Sequence, residues 1–167
     1  MKRLTAFAFG GAVLAMASVA HAGEQYVDGT GYAVSGYDVV AYRGLAQSDI
    51  GSPQPAAVKG SPEFKAEHNG VVWLFSSAAN RDAFKADPAA YAPAFDGHCA
   101  YGVAKGGKVP ANPNLWRIVD GQLYLNITKT VVGFWEEDVP GYIETGEANW
   151  SSRLESKPAS TNPVPNF

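Results

Sequence analysis

Alternating apolar and polar positions pick out two hairpins along the chain. Pro62–His68 and Val71–Ser76 flank Asn69-Gly70, a two-residue turn whose positions both need positive φ. That turn pairs His68 with Val71 and puts Phe64, Ala66 and His68 on one face with Val71, Trp73 and Phe75. Lys65, Glu67, Val72 and Leu74 fall on the other. A helix should follow, capped by Ser76 or Ser77, striped by Ala79, Ala83 and Phe84, and stopped at Asp87-Pro88. Asp87 can then cap a second short turn with Pro88 in its first position. The second hairpin joins Leu115–Val119 to Gln122–Ile127 through Asp120-Gly121, with Trp116, Ile118, Leu123 and Leu125 facing the core. Residues 129–138 read as a helix, and another helical piece runs from Pro140 to Trp150. The pattern predicts one α+β domain over residues 23–150, with two hairpin–helix units on a shared antiparallel sheet. The halves share this order, but no internal repeat is readable beyond it.

The remaining segments are less regular. Residues 23–35 form an irregular lead-in, Gly36–Tyr42 is a compact apolar stretch, and 43–61 is a loop rich in Gly, Pro and Ser. From Ser151 to Phe167 the chain turns polar and aperiodic, which predicts a flexible tail. The start has a different logic. Lys2 and Arg3 precede an apolar run from Leu4 to Val19, and Ala20-His21-Ala22 is a small-x-small cleavage pattern. Residues 1–22 are therefore expected to be a cleavable signal peptide. The apolar run is too short and too rich in Ala and Gly for a membrane anchor, and no Cys follows the cut to carry a lipid. The mature chain should begin near Gly23 and work in the periplasm without a membrane anchor.

Composition narrows the chemistry. The chain has 13 basic and 16 acidic residues, and cleavage removes two of the basic ones. An acidic chain without a basic run is not expected to bind nucleic acid, whose affinity comes largely from cations neutralising phosphates. Both Met residues lie in the leader, so a Met-rich copper site within one chain is ruled out. Cys99 stands alone, which excludes an internal disulfide.

The run Val71-Val72-Trp73-Leu74-Phe75-Ser76-Ser77-Ala78-Ala79-Asn80, with Phe84, Asp87-Pro88 and Tyr91, resembles the YHS domain. Gly36–Tyr42 and Gly97-His98-Cys99-Ala100-Tyr101-Gly102 are similar to its exported, single-domain branch, and the likeness runs from about Tyr32 to Trp150. The resemblance implies small hairpin–helix units that, in metal-associated members, carry three cysteines. The matching positions here are Ala41, Ser76 and Asn80, so all three thiolates are missing.

Cys99 is the main candidate for chemistry. Gly97 and Gly102 flank it, and His98 adjoins it, where an imidazolium would favour thiolate. Three alternatives stand: a buried structural thiol, a metal ligand, or a redox or nucleophilic thiol. In the first functional hypothesis, a metal ion, with copper the best match, is held near Cys99 with His98 or His68 as nitrogen ligand. A protein partner or a second copy of the chain could complete such a site. In the second, the domain binds a partner without catalysis and Cys99 is buried. In the third, Cys99 serves a thiol enzyme, although no complete catalytic constellation is readable. Independently of these hypotheses, Tyr37, Tyr42, Tyr91 and Tyr101 lie in or near loops and are expected to line a pocket beside Cys99. Gly102–Lys108 approaches a P-loop pattern, but Val109-Pro110 lacks both its hydroxyl and its helix, which predicts a flexible loop.

Overall fold

The computed structural model describes residues 23–164. The expected signal peptide lies outside these residues. The chain is α+β and contains the two hairpin–helix units. Strands β1 (Ser61–His68) and β2 (Val71–Phe75) form the first hairpin, followed by helix α1 (Ala78–Ala86). A short helix α2 (Ala100–Ala104) precedes the second hairpin, β3 (Asn112–Val119) and β4 (Gln122–Asn126). Helices α3 (Lys129–Glu136) and α4 (Val139–Asn149) complete the order.

The turn chemistry explains both hairpins. Asn69 and Gly70 take φ of 51° and 74°, and Asp120 and Gly121 take 48° and 80°. His68 pairs with Val71 and Ala66 with Trp73, and Trp116 pairs with Leu125 and Ile118 with Leu123. Hydroxyl caps start the helices that follow. Ser77 Oγ accepts from the Asn80 amide, and Thr128 Oγ1 accepts from the Val131 amide.

One expectation needs correction. The hairpins do not share a sheet; each is a separate two-stranded antiparallel sheet. They meet through side chains instead. Trp73, Phe75 and Phe84 from the first unit and Trp116, Leu123 and Leu125 from the second bury into one core with Val39, Tyr42 and Cys99. An isolated two-stranded hairpin is marginal in water, so this common core is what holds both. A second core gathers Phe95, Val103, Tyr124, Trp135 and Leu154.

The tail also differs from expectation. Beyond α4 the helix continues as a wider π turn over Trp150–Leu154, and Leu154 is buried. The segment after it returns across the lead-in. Tyr26 Oη donates to the Asn162 carbonyl (2.8 Å), and the Ala159 amide donates to Glu24 (2.9 Å). These partners are far apart in sequence, so composition alone gave no sign of them. The stretch expected as a loop after Gly102 likewise begins inside helix α2.

The two halves are alike beyond hairpin and helix. Val34, Ser35 and Gly36 have φ of 49°, 52° and 76°, and Phe95, Asp96 and Gly97 have 56°, 50° and 77°. Each triplet leads to a residue whose amide reaches back to the segment just before the next hairpin. Asp38 N–H donates to the Val58 carbonyl (2.9 Å), and Cys99 N–H donates to the Val109 carbonyl (3.0 Å). Asp87 and Asp138 then close the two units as caps of the turn or helix that follows. Asp38 and Cys99 are thus counterparts in a structural repeat.

Candidate functional site

Cys99 sits at the junction of the two hairpins and is fully buried. Its thiol faces Asn126 Oδ1 at 3.4 Å and accepts from the Gly102 amide at 3.4 Å, as the N-cap of α2. Asn126 Oδ1 also accepts from the Tyr101 amide at 3.2 Å. Burial pushes the Cys99 thiol pKa up, against the opposing pull of nearby amides. The thiol form is favoured, the reverse of what an adjacent imidazolium would do.

His98 does not act on that thiol. It is buried beside Tyr26 and Trp150, with ring centroids 5.6 and 6.0 Å away. Its Nδ1 lies 2.9 Å from the Phe95 carbonyl, and its Nε2 accepts from the Ser160 amide at 3.1 Å. These partners fix the neutral tautomer with the proton on Nδ1. Burial lowers the His98 pKa to about 4. His68 lies elsewhere, half-buried and edge-on to Phe84 at 5.6 Å. Cys99, His98 and His68 therefore occupy three separate environments. Among the described residues, no group of three or more His, Cys, Asp or Glu side chains is placed to hold one metal ion.

The four tyrosines expected to line a pocket beside Cys99 belong to the core that holds Cys99 or pack against it. Tyr37 and Tyr42 are core residues, Tyr91 lies near the Arg43 guanidinium, and Tyr101 packs on Phe134 and Tyr142.

A different residue organises the first half. Asp38 is fully buried, and both carboxylate oxygens are engaged. Its Oδ1 accepts from the amides of Val40 (2.9 Å) and Ala41 (3.2 Å). Its Oδ2 accepts from the Ser76 amide (2.7 Å), the Ser76 hydroxyl (2.6 Å) and the Asn80 side-chain amide (2.7 Å). Ala41, Ser76 and Asn80 are the three positions that the sequence resemblance alone sets against the YHS cysteines. The fold brings them together around a carboxylate that links the Gly36–Tyr42 stretch to the start of α1. Sequence inspection missed Asp38, although a lone acid between Tyr37 and Val39 was a signal: a charge inside an apolar run must find donors when buried. In the second half, Cys99 stands where Asp38 stands in the first, and Asn126 beside it receives the neighbouring amide.

A concavity lies on another face. Loop residues 51–56, the start of β3 and one side of α3 enclose an open cleft of about 830 Å³. Leu115, Trp116, Ile127 and Val132 give it an apolar wall, while Asn112, Asn114 and Lys129 supply polar groups. Glu136 pins the loop by accepting from the Gly51 amide (2.8 Å), and it pairs with buried Arg117. Arg117 in turn donates to the Ser48 (3.1 Å) and Asp49 (3.3 Å) carbonyls. The cleft thus has a fixed rim and falls in the size range of small-ligand sites, roughly 300–1,000 Å³.

Comparisons with models of protein families, with curated proteins and with solved structures find no match for this chain.

Proposed function

We propose that this chain is an exported, non-catalytic binding domain, YHS-like in plan, that works in the periplasm without a metal centre. One observation carries this: the Asp38 carboxylate, with five hydrogen bonds, holds together the positions where the YHS pattern has its thiolates. A carboxylate so occupied has no lone pair directed at an incoming cation, and Ser76 and Asn80 donate to it. The buried thiol of Cys99 fills the equivalent place in the second half, where it caps α2. A buried thiol with a raised pKa is a poor nucleophile and a poor ligand, because both roles need thiolate.

Contact with a ligand or partner then falls to the cleft beside α3. Its mixture suits a group with an apolar body and a polar or anionic end. The apolar part would lie on Trp116 and Val132, with Asn112, Asn114 and Lys129 at the other end.

Two measurements test this proposal. Cys99 should react with iodoacetamide far more slowly in the folded protein than in urea, since burial withholds the thiolate. Rapid, pH-dependent alkylation of the folded chain would instead favour a thiol enzyme. Titration with an anilinonaphthalene sulfonate, followed by amide NMR shifts, should perturb Asn112, Asn114, Lys129 and Gly133 saturably. Shifts elsewhere, or none, would remove the cleft from the proposal.

A further inference from the structure

Asp96 Oδ2 is buried and has no hydrogen-bond partner. A stranded carboxylate oxygen is costly, and the surroundings of this one indicate what would relieve it. Gly23, the residue expected to follow the leader, packs directly against it. A Cβ on Gly23 would collide with Asp96 Oδ2 and would lie 2.9 Å from the Glu155 carbonyl oxygen and 3.0 Å from Trp150 Cζ2. Only glycine fits this niche without displacement. The residues after Gly23 are held in place: Gln25 and Tyr26 are buried, the Tyr26 amide donates to the Asp96 carbonyl (2.8 Å), and Glu24 accepts from the Ala159 amide (2.9 Å).

We propose that cutting the Ala22–Gly23 bond creates an α-ammonium group that pairs with Asp96 and locks the mature N-terminus to the Phe95–Gly97 turn and the C-terminal segment. This rests on the signal-peptide part of the proposed function. The step is a hydrolysis by an export peptidase. Water supplies OH to the Ala22 carbonyl carbon, giving a carboxylate, and hydrogen to the Gly23 nitrogen, which is protonated at neutral pH. The new cation would be carried on the Gly23 Cα, whose Cβ direction faces Asp96, the Glu155 carbonyl and the edge of Trp150.

The charges facing this niche are mixed. Asp96, Glu24 and Glu155 are acidic, and Lys108 is the cation among them. His98 packs against Trp150 and is neutral near pH 7. Lys108 does not take the vacant oxygen. Its ammonium lies over the Trp150 ring at 4.6 Å and donates to the carbonyls of Glu155 (3.3 Å) and Lys157 (2.6 Å). Burial raises the Asp96 carboxyl pKa, as expected for an acid still without its counter-ion.

The test uses four proteins released from a cleavable fusion, starting at Gly23 or at Ala22, each with and without Asp96→Asn. Asparagine tolerates the positive φ of this position, so the variant keeps the turn. The one-residue extension should lower the unfolding midpoint by several degrees in the wild-type background and leave it unchanged in Asp96→Asn. An equal effect in both backgrounds would overturn the pairing. In the Gly23-start protein, the Gly23 Cα NMR shift should titrate about one pH unit or more above the usual α-amine value of roughly 8 and return to it in Asp96→Asn. An ordinary titration in the wild type would also overturn it. The leader is tested separately by the intact mass of the protein recovered after export. A first residue other than Gly23 would overturn the proposal for the natural chain, whatever the engineered proteins do.

Discussion

Replacing Asp38 by asparagine changes little in volume and removes one charge, so its cost reports the network directly. The new side chain can keep its one oxygen towards the Val40 and Ala41 amides. Its NH2 group would then face the Ser76 amide, the Ser76 hydroxyl and the Asn80 amide, three donors that now converge on Oδ2. The hydroxyl can rotate and Asn80 can flip, but the Ser76 backbone N–H cannot. A hydrogen bond to a charged acceptor contributes about 1.5–3 kcal/mol, and a stranded buried donor costs about 1–3 kcal/mol. Ser76 is exposed at one edge of the network, so water offsets part of this. The expected loss is about 2–4 kcal/mol, a large share of the roughly 5–15 kcal/mol typical of a domain. Equilibrium urea unfolding followed by tryptophan fluorescence measures it, because Trp73 and Trp116 lie in the core that both units share. Ser76→Ala and Asn80→Ala should each cost about 1–2 kcal/mol and should be strongly non-additive with Asp38→Asn. A cost below about 1 kcal/mol for Asp38→Asn, or simple additivity, would refute the assignment of this carboxylate as the organising centre.

Other consequences are independent. His98 has a folded pKa of about 4 against an ordinary value of 6.5, so the unfolded chain takes up its proton first as the pH falls. Its contribution is therefore complete above pH 6.5 and is lost as pH falls towards 4; the change is about 3 kcal/mol. Subtracting the pH–stability profile of His98→Phe from that of the wild type should isolate this slope, and a flat difference would contradict the buried neutral imidazole. At Gly60, a Cβ would lie 2.5 Å from the Leu74 backbone, so Gly60→Ala should cost about 1–3 kcal/mol or more in urea unfolding. Gly133, with open space at its Cβ inside α3, should behave oppositely: Gly133→Ala should gain about 0.5–1 kcal/mol. Removing Arg117 as Arg117→Met leaves Glu136 buried without its cation and should cost about 3–5 kcal/mol, read from thermal unfolding; a near-neutral result would show that the pair is dispensable.

The elements set by local chemistry were legible in the sequence. Asn69-Gly70 and Asp120-Gly121 specify turns of one type, and Ser77 and Asp87 act as caps because their oxygens reach nearby amides. What depends on distant partners was hidden. Nothing near His98 in sequence announces Ser160, and nothing near Tyr26 announces Asn162. Helix α2 was missed because its cap is a thiol and because Gly102, Gly106 and Gly107 resemble a loop. Gly102 lies inside the helix for a packing reason: a Cβ there would collide with Val109. The repeat escaped notice because the equivalent residues are chemically unlike. Asp38 is matched by Cys99, and only backbone dihedrals and amide partners reveal the correspondence. The prominence of Cys99 with His98 or His68 came from sequence adjacency and residue type, whereas the chain sends the three side chains into different surroundings.

The most direct test is a copper(I), copper(II) and zinc titration of the reduced mature protein, with bound metal per chain measured after desalting. A non-metal binding domain predicts no stoichiometric retention and the same background for Cys99→Ser. One tightly held ion per chain, lost in Cys99→Ser or His98→Ala, would contradict that account and make this a metal-handling protein.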